Sequence, residues 1–207
     1  MQEPSEQLSY QQEVLRKLVH LSSLWVVVLY HFTDKDVMLN VLIPLTLVVL
    51  LMDGARRCSG ERCPMLETMM GYLLRNRERK KLSGASYVML SALIMVLFFP
   101  KLIAITAFTY LILADSAAAL IGKPFGKHPF FGKSLEGCAA FFVTCLISMG
   151  VIAWIYDAGH FYIISATVAA LVATIVEVFS IQFKIDDNFS IPLSVGCVMV
   201  AAQYVLG

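Results

Sequence analysis

Leu102-Ile-Ala-Ile-Thr-Ala-Phe-Thr-Tyr-Leu-Ile-Leu-Ala-Asp115-Ser-Ala-Ala-Ala-Leu-Ile121 is a long apolar run interrupted by a single charge. A helix crossing a bilayer needs about 20 mostly apolar residues, and this run supplies them. Six more runs resemble it. The spans read as 18–33, 37–53, 83–99, 102–121, 135–156, 161–183 and 190–206. Pro100-Lys101 between the third and fourth spans suits a tight hairpin of antiparallel helices. Of the 207 residues 58% are hydrophobic and only 15% charged, against about 25% charged in an ordinary soluble domain. The sequence therefore predicts an all-α integral membrane protein, a bundle of about seven transmembrane helices. The whole chain, 1–207, reads as a single domain with no sequence repeat.

The charges that remain are unevenly placed. Seven spans put residues 1–17, 54–82, 122–134 and 184–189 on one side, and these hold every Lys and Arg except Lys35 and Lys101. Cytoplasmic loops carry the excess of Lys and Arg, so the N-terminus is expected in the cytoplasm and the C-terminus outside. The polar segment 1–17 does not read as a signal peptide. In the long loop 54–82, Pro64 followed by Leu66, Met69, Met70, Leu73 and Leu74 and a basic run 75–81 reads either as an interfacial amphipathic helix or as a solvated basic loop. A net charge of +1 gives no footprint for DNA or RNA. Five Cys residues, three of them inside spans, argue against a disulfide framework. Cys58 and Cys63 lack the second pair or loop His that zinc requires.

Ionisable groups inside a bilayer are costly and therefore informative. Asp115 lies six residues before the expected end of the fourth span, and Glu177 six before the end of the sixth. At ~1.5 Å per residue both sit about 9 Å below the same membrane face. Glu136, Asp186 and Asp187 collect at that face, as does Asp53, which reads as an interfacial residue near water. Between the fourth and fifth spans runs Gly122-Lys-Pro-Phe-Gly126-Lys-His-Pro-Phe-Phe-Gly132-Lys-Ser-Leu-Glu136-Gly137. Its three Gly-Lys pairs offer backbone approach and positive charge to phosphate, and Ser134 leads into a helix whose N-terminal amides favour an anion. It is no Walker A loop, because the spacing is one residue too long and no strand precedes it. Magnesium with polyphosphate needs carboxylate and phosphate oxygens together, which gathers Asp115, Glu177, Asp186 and Asp187 as candidate metal ligands and Lys123, Lys127 and Lys133 as phosphate grips. Arg16 and His20 stand one helical turn apart at the same face, with Lys17 between them. His31, His128 and His160 read as loop residues without clear partners, and Trp25 and Trp154 as packing or interface aromatics.

Taken in order, several elements resemble the dolichol kinase, phytol kinase and CTP-dependent diacylglycerol kinase family along nearly the whole chain. They are Arg16-Lys-Leu-Val-His20, Asp115-Ser-Ala-Ala-Ala-Leu-Ile-Gly122, Phe125-Gly-Lys127, Lys133-Ser-Leu-Glu-Gly137, Glu177 and Asp186-Asp-Asn188. The resemblance implies an integral membrane enzyme that moves the γ-phosphate of CTP to a lipid alcohol, and Arg16, Lys17, Asp115 and Gly122 match positions that matter for activity in that family. With the charge pattern and the carboxylates, the expectation is a Mg2+ site at the cytoplasmic face with Arg16, Lys17, His20 and Asp115 at the reacting centre. The Gly-Lys loop and its neighbours are expected to contact the nucleotide through Gly122, Lys123, Gly126, Lys127, Lys133, Ser134, Glu136, Gly137 and Asn188. Ala114 departs from the family, which usually has Gly there. Phosphatidate cytidylyltransferases share the Lys-Ser-Leu-Glu-Gly stretch, but their longer C-terminal signature is missing here. A small transporter is the remaining alternative; those tend to place their sites at the midplane of internal repeats.

Overall fold

A computed structural model describes residues 10–59, 82–183 and 185–206. Helices make up nearly all of it: α1 (Tyr10–Ser22), α2 (Leu24–Phe32), α3 (Lys35–Ser59), α4 (Gly84–Phe98), α5 (Lys101–Thr109), a π-helical turn (Tyr110–Ala114), α6 (Asp115–Phe125), α7 (Leu135–Ile155), α8 (His160–Phe183) and α9 (Asp187–Leu206). A two-stranded hairpin, β1 (Pro129–Phe130) and β2 (Lys133–Ser134), lies between α6 and α7. Five helical stretches are long and apolar enough to cross a membrane. That is the architecture of a multi-pass membrane protein. The fourth expected span is the central pillar: Lys101–Phe125 is 78% buried over its most apolar window, against 22–44% for the other four. Tyr110, Leu111, Ile112 and Ala114 are buried at its middle. The outward residues of α7 and α8, among them Val143, Ile147, Val151, Ile164, Val168 and Leu171, are apolar and exposed, as lipid-facing positions are.

Several expected boundaries shift. The span expected at 18–33 is two helices broken at Ser23, whose N–H donates to the His20 carbonyl over 3.0 Å. α4 has only 15 residues, short of the usual span. α3 runs on to Ser59, past the expected end at 53. The amphipathic helix expected from Pro64, the basic run 75–81 and Cys63 lie outside the described residues, as does the side chain of Cys58. The pillar continues to Phe125, so Asp115 lies ten residues before its end rather than six. At ~1.5 Å per residue that is roughly 15 Å, deeper than expected.

Asp53 is not near water. It is buried at the end of α3 and accepts hydrogen bonds from the Ser83 backbone N–H (2.8 Å), the Ser86 hydroxyl (2.9 Å) and Arg56 (2.6 and 2.9 Å). It staples the end of α3 to the start of α4. In α9, Pro192 has no N–H for the Asn188 carbonyl one turn back. The Ser91 hydroxyl of α4 donates to that carbonyl instead, at 2.8 Å, tying the two helices together.

At the opposite end of the bundle, Lys101 donates to the carbonyls of His31 (3.1 Å) and Thr33 (2.8 Å) and lies over the Tyr30 ring. Lys35 donates to the Leu97 carbonyl at 2.7 Å. Cations at helix C-termini satisfy orphan carbonyls in this way. His31, expected to lack a partner, is hydrogen-bonded to the Tyr156 hydroxyl at 2.7 Å. The two lysines of this end are thus absorbed structurally, and the remaining chemistry lies at the other end.

Candidate functional site

The π turn sits directly ahead of Asp115. A π turn adds one residue to the helical ring and often marks a functional site. Here His20 of α1 donates through Nε2 to the Leu111 carbonyl at 3.4 Å. The same nitrogen lies 3.8 Å from Asp115 Oδ2, and that oxygen accepts a hydrogen bond from Lys17. Lys17 and Asp115 are both buried. Three residues expected at the reacting centre therefore meet as one group, joined across nearly a hundred residues of chain.

A second group forms at the ends of α8 and α9. Lys133 of β2 donates to Glu177 and lies 3.5 Å from Asp187 Oδ2. Burial alone would lower the Lys133 pKa. The charges of Asp187, Glu177 and Asp115 outweigh that and hold it above the ordinary lysine value. The hairpin aims Lys133. Phe131 and Gly132 form its tip with φ of 46° and 89°, the two positive values that a tight two-residue hairpin turn demands. Phe131 is held there by rings on either side, Phe130 at 4.8 Å and Phe179 of α8 at 5.1 Å between centroids. Phe179 is two residues from Glu177, so the contact that supports the turn also fixes the lysine over its carboxylate.

The glycines have a packing task besides the phosphate approach expected of them. Gly122 and Gly137 are the contact point of α6 and α7. A Cβ on Gly122 would stand 2.9 Å from Ser134 Oγ and 3.2 Å from Gly137 Cα. A Cβ on Gly126 would stand 2.6 Å from the Ser134 side chain. These positions bring backbones together. Ser134 is the N-cap of α7: its Oγ accepts from the Gly137 N–H at 3.1 Å and donates to the Gly122 carbonyl at 3.3 Å. Glu136 pairs with His128, which therefore has a partner after all, at 2.7 Å across the hairpin. Asn188 is buried, and its N–H and Nδ2 both donate to Asp186 Oδ1 at 3.0 and 2.8 Å. Ser134, Gly122, Gly126, Gly137, Glu136, Asp186 and Asn188 thus shape the site's frame. Lys127 is exposed on the loop before the hairpin.

Sequence reading missed Glu13. Buried on α1, it accepts from Arg16 at 2.6 and 3.3 Å through Oε1 and from Lys123 of α6 at 3.2 Å through Oε2. Its spacing of three from Arg16 was a weak signal. No pattern pointed across the 110 residues to Lys123.

The four carboxylates expected to hold one or two metal ions are divided among different partners. Asp115 is held by Lys17, Glu177 and Asp187 by Lys133, and Asp186 caps Asn188. Among the described residues no three His, Cys, Asp or Glu side chains gather closely enough to hold an ion by themselves. Buried Glu177 Oε2, Asp187 Oδ1 and Ser190 Oγ nevertheless have no hydrogen-bond partner among the described residues. Unpaired buried oxygens are costly. Magnesium commonly takes one or two protein carboxylates and completes its shell with phosphate oxygens and water. Glu177 and Asp187 fit that demand.

No family model matches the chain. It is 29% identical over 185 residues to an uncharacterized protein of Rickettsia prowazekii, covering 88% of this chain and 90% of that one. It is 28% identical over 145 residues to an uncharacterized protein of Methanocaldococcus jannaschii, covering 69% and 70% respectively. No solved structure matches.

Proposed function

We propose that the protein is a CTP-dependent lipid kinase of the dolichol, phytol and diacylglycerol kinase type, with seven membrane crossings, a cytoplasmic N-terminus and its site at the cytoplasmic face. The observation that carries this reading is the group in which Lys17 and His20 of α1 meet Asp115 of the central helix, beside Lys133 with Glu177 and Asp187. In this reading the fixed carboxylate receives a lipid hydroxyl from the bilayer, and the cations receive a polyphosphate from water.

Phosphoryl transfer is a matter of positioning and charge neutralisation. Arg16, Lys123, Lys127 and Lys133 grip the phosphates. Lys17 and His20 fix Asp115 in place. The lipid hydroxyl oxygen attacks the γ-phosphorus, and the bond from that phosphorus to the β–γ bridging oxygen breaks. CDP departs, and the hydroxyl proton passes to Asp115. Glu177 and Asp187 would hold Mg2+, which neutralises developing charge on the phosphate oxygens. The products are a lipid phosphate and CDP.

Protein in lipid nanodiscs, given Mg2+, γ-labelled CTP and a panel of polyprenol, phytol-like alcohol, diacylglycerol and phosphatidate, tests this. Label in the lipid fraction is the expected result. Pyrophosphate release with CMP joined to phosphatidate would make it a cytidylyltransferase. No consumption of CTP with any acceptor would refute both and favour transport.

A further inference from the structure

We infer that Glu13 is the positioning residue of a phosphate subsite formed by Arg16 and Lys123. This rests on the kinase reading, in which both cations serve the nucleotide, and adds how they are held. The side chain of Glu13 is 3% exposed, whereas those of Arg16 and Lys123 are 19% and 35% exposed. The carboxylate therefore lies beneath, and the cations reach outward above it. One oxygen takes Arg16 and the other takes Lys123, so a single buried group fixes the separation of two charges far apart in the chain.

Lys and Arg side chains are among the most mobile. Two cations placed side by side also repel. A buried carboxylate between them removes both obstacles before a phosphate arrives, which is preorganisation rather than competition. Glu13 is too deeply placed for a phosphate oxygen to replace it from solution. Its helix also carries Lys17 and His20, so the same clasp keeps α1 registered against Asp115.

The sign of the effect separates positioning from plain charge. Removing a negative charge near an anion site would, by field alone, tighten anion binding. Positioning demands the opposite. Full-length protein in nanodiscs is titrated with inorganic triphosphate and Mg2+ by calorimetry, and its CTP kinetics are measured in parallel. Glu13→Gln should weaken triphosphate binding and raise the KM for CTP by about tenfold with kcat within about twofold, the pattern of lost binding rather than lost chemistry. Glu13→Asp, which keeps the charge, should recover most of the loss. Equal or tighter triphosphate binding by Glu13→Gln overturns the proposal, and so does a fall in kcat with KM unchanged. Should Glu13→Gln fail to fold, Lys123→Gln at its more exposed position is expected to weaken triphosphate binding comparably, and unchanged affinity there overturns the subsite. Wild-type protein that binds triphosphate but phosphorylates no lipid refutes the kinase reading and leaves the subsite standing. Wild-type protein that binds no triphosphate overturns the subsite itself.

Discussion

Replacing Lys133 by Met tests the second charged group without reference to any substrate. The side chains of Glu177 and Asp187 are 4% and 23% exposed, and that of Lys133 is 17% exposed. Deleting one partner of a buried ion pair costs about 3–5 kcal/mol, because the other charge stays behind unpaired. Asp187 reaches solvent and can rehydrate, so the lower end, about 3 kcal/mol, applies. Removing both charges in Lys133→Met with Glu177→Gln leaves less stranded and should cost clearly less than the sum of the single changes. The double-mutant cycle should give a coupling of about 2 kcal/mol. Reversible SDS titration in mixed micelles, followed by tryptophan fluorescence, measures it. The pH dependence has a definite sign. The Lys133 pKa is raised in the folded protein, so its contribution is complete below the ordinary lysine pKa of about 10.4 and is lost as pH climbs through the raised value. The gap between wild type and Lys133→Met should be flat from pH 7 to about 9 and close only in stronger alkali. A single mutant within about 0.5 kcal/mol of wild type, or strict additivity in the cycle, would refute the reasoning.

Asp115→Asn should lower turnover at least about a hundredfold with the protein still folded; near-normal turnover in the labelled-CTP assay would remove Asp115 from the chemistry. Gly122→Ala drives a Cβ into Ser134 and Gly137 and should cost about 1–3 kcal/mol by overpacking. Gly150→Ala, with nothing within 4 Å of its added Cβ, should be neutral or stabilising by up to about 1 kcal/mol. Asp53→Ala removes the acceptor of two donors at the α4 start and one ion-pair partner of Arg56 and should cost about 3 kcal/mol, with the KM for CTP unchanged when measured well below the melting temperature.

The sequence was most informative where one physical rule acts alone. Long apolar runs reveal helices because lipid tolerates little else, and the ends of α7 and α8 fall within a residue of expectation. Lys17, His20 and Asp115 were legible because each is an ionisable group expected at the same membrane face. What was not legible depends on azimuth and on distant partners. Apolar periodicity cannot tell which helix Asp53 faces, so its bonds to Ser83 and Ser86 were invisible. Gly122 and Gly126 have two uses, phosphate approach and close helix packing, and spacing does not choose between them. The π turn has no residue signature, so the extra residue before Asp115 and the accompanying carbonyl for His20 appear only in the folded chain. The hairpin was hidden because its left-handed positions are filled by Phe131 and Gly132, and a phenylalanine there is unexpected.

The first helix has its polarity reversed relative to a helix on a water-soluble protein. Glu13, Lys17 and His20 turn toward the bundle, whereas Leu15, Leu18 and Val19 are exposed on the outside. In water such an arm would tend to roll over, burying its leucines and hydrating its charges. An apolar surround at Leu18 and Val19, where the first expected span begins, would instead hold it closed, because leucine avoids water and ions do not. The break at Ser23 separates α1 from α2. Lipid over those residues would act as a fastener for half of the site. Extraction into harsh, well-hydrated detergent should release this arm while the helices behind it stay packed, so that competence is lost well before the fold.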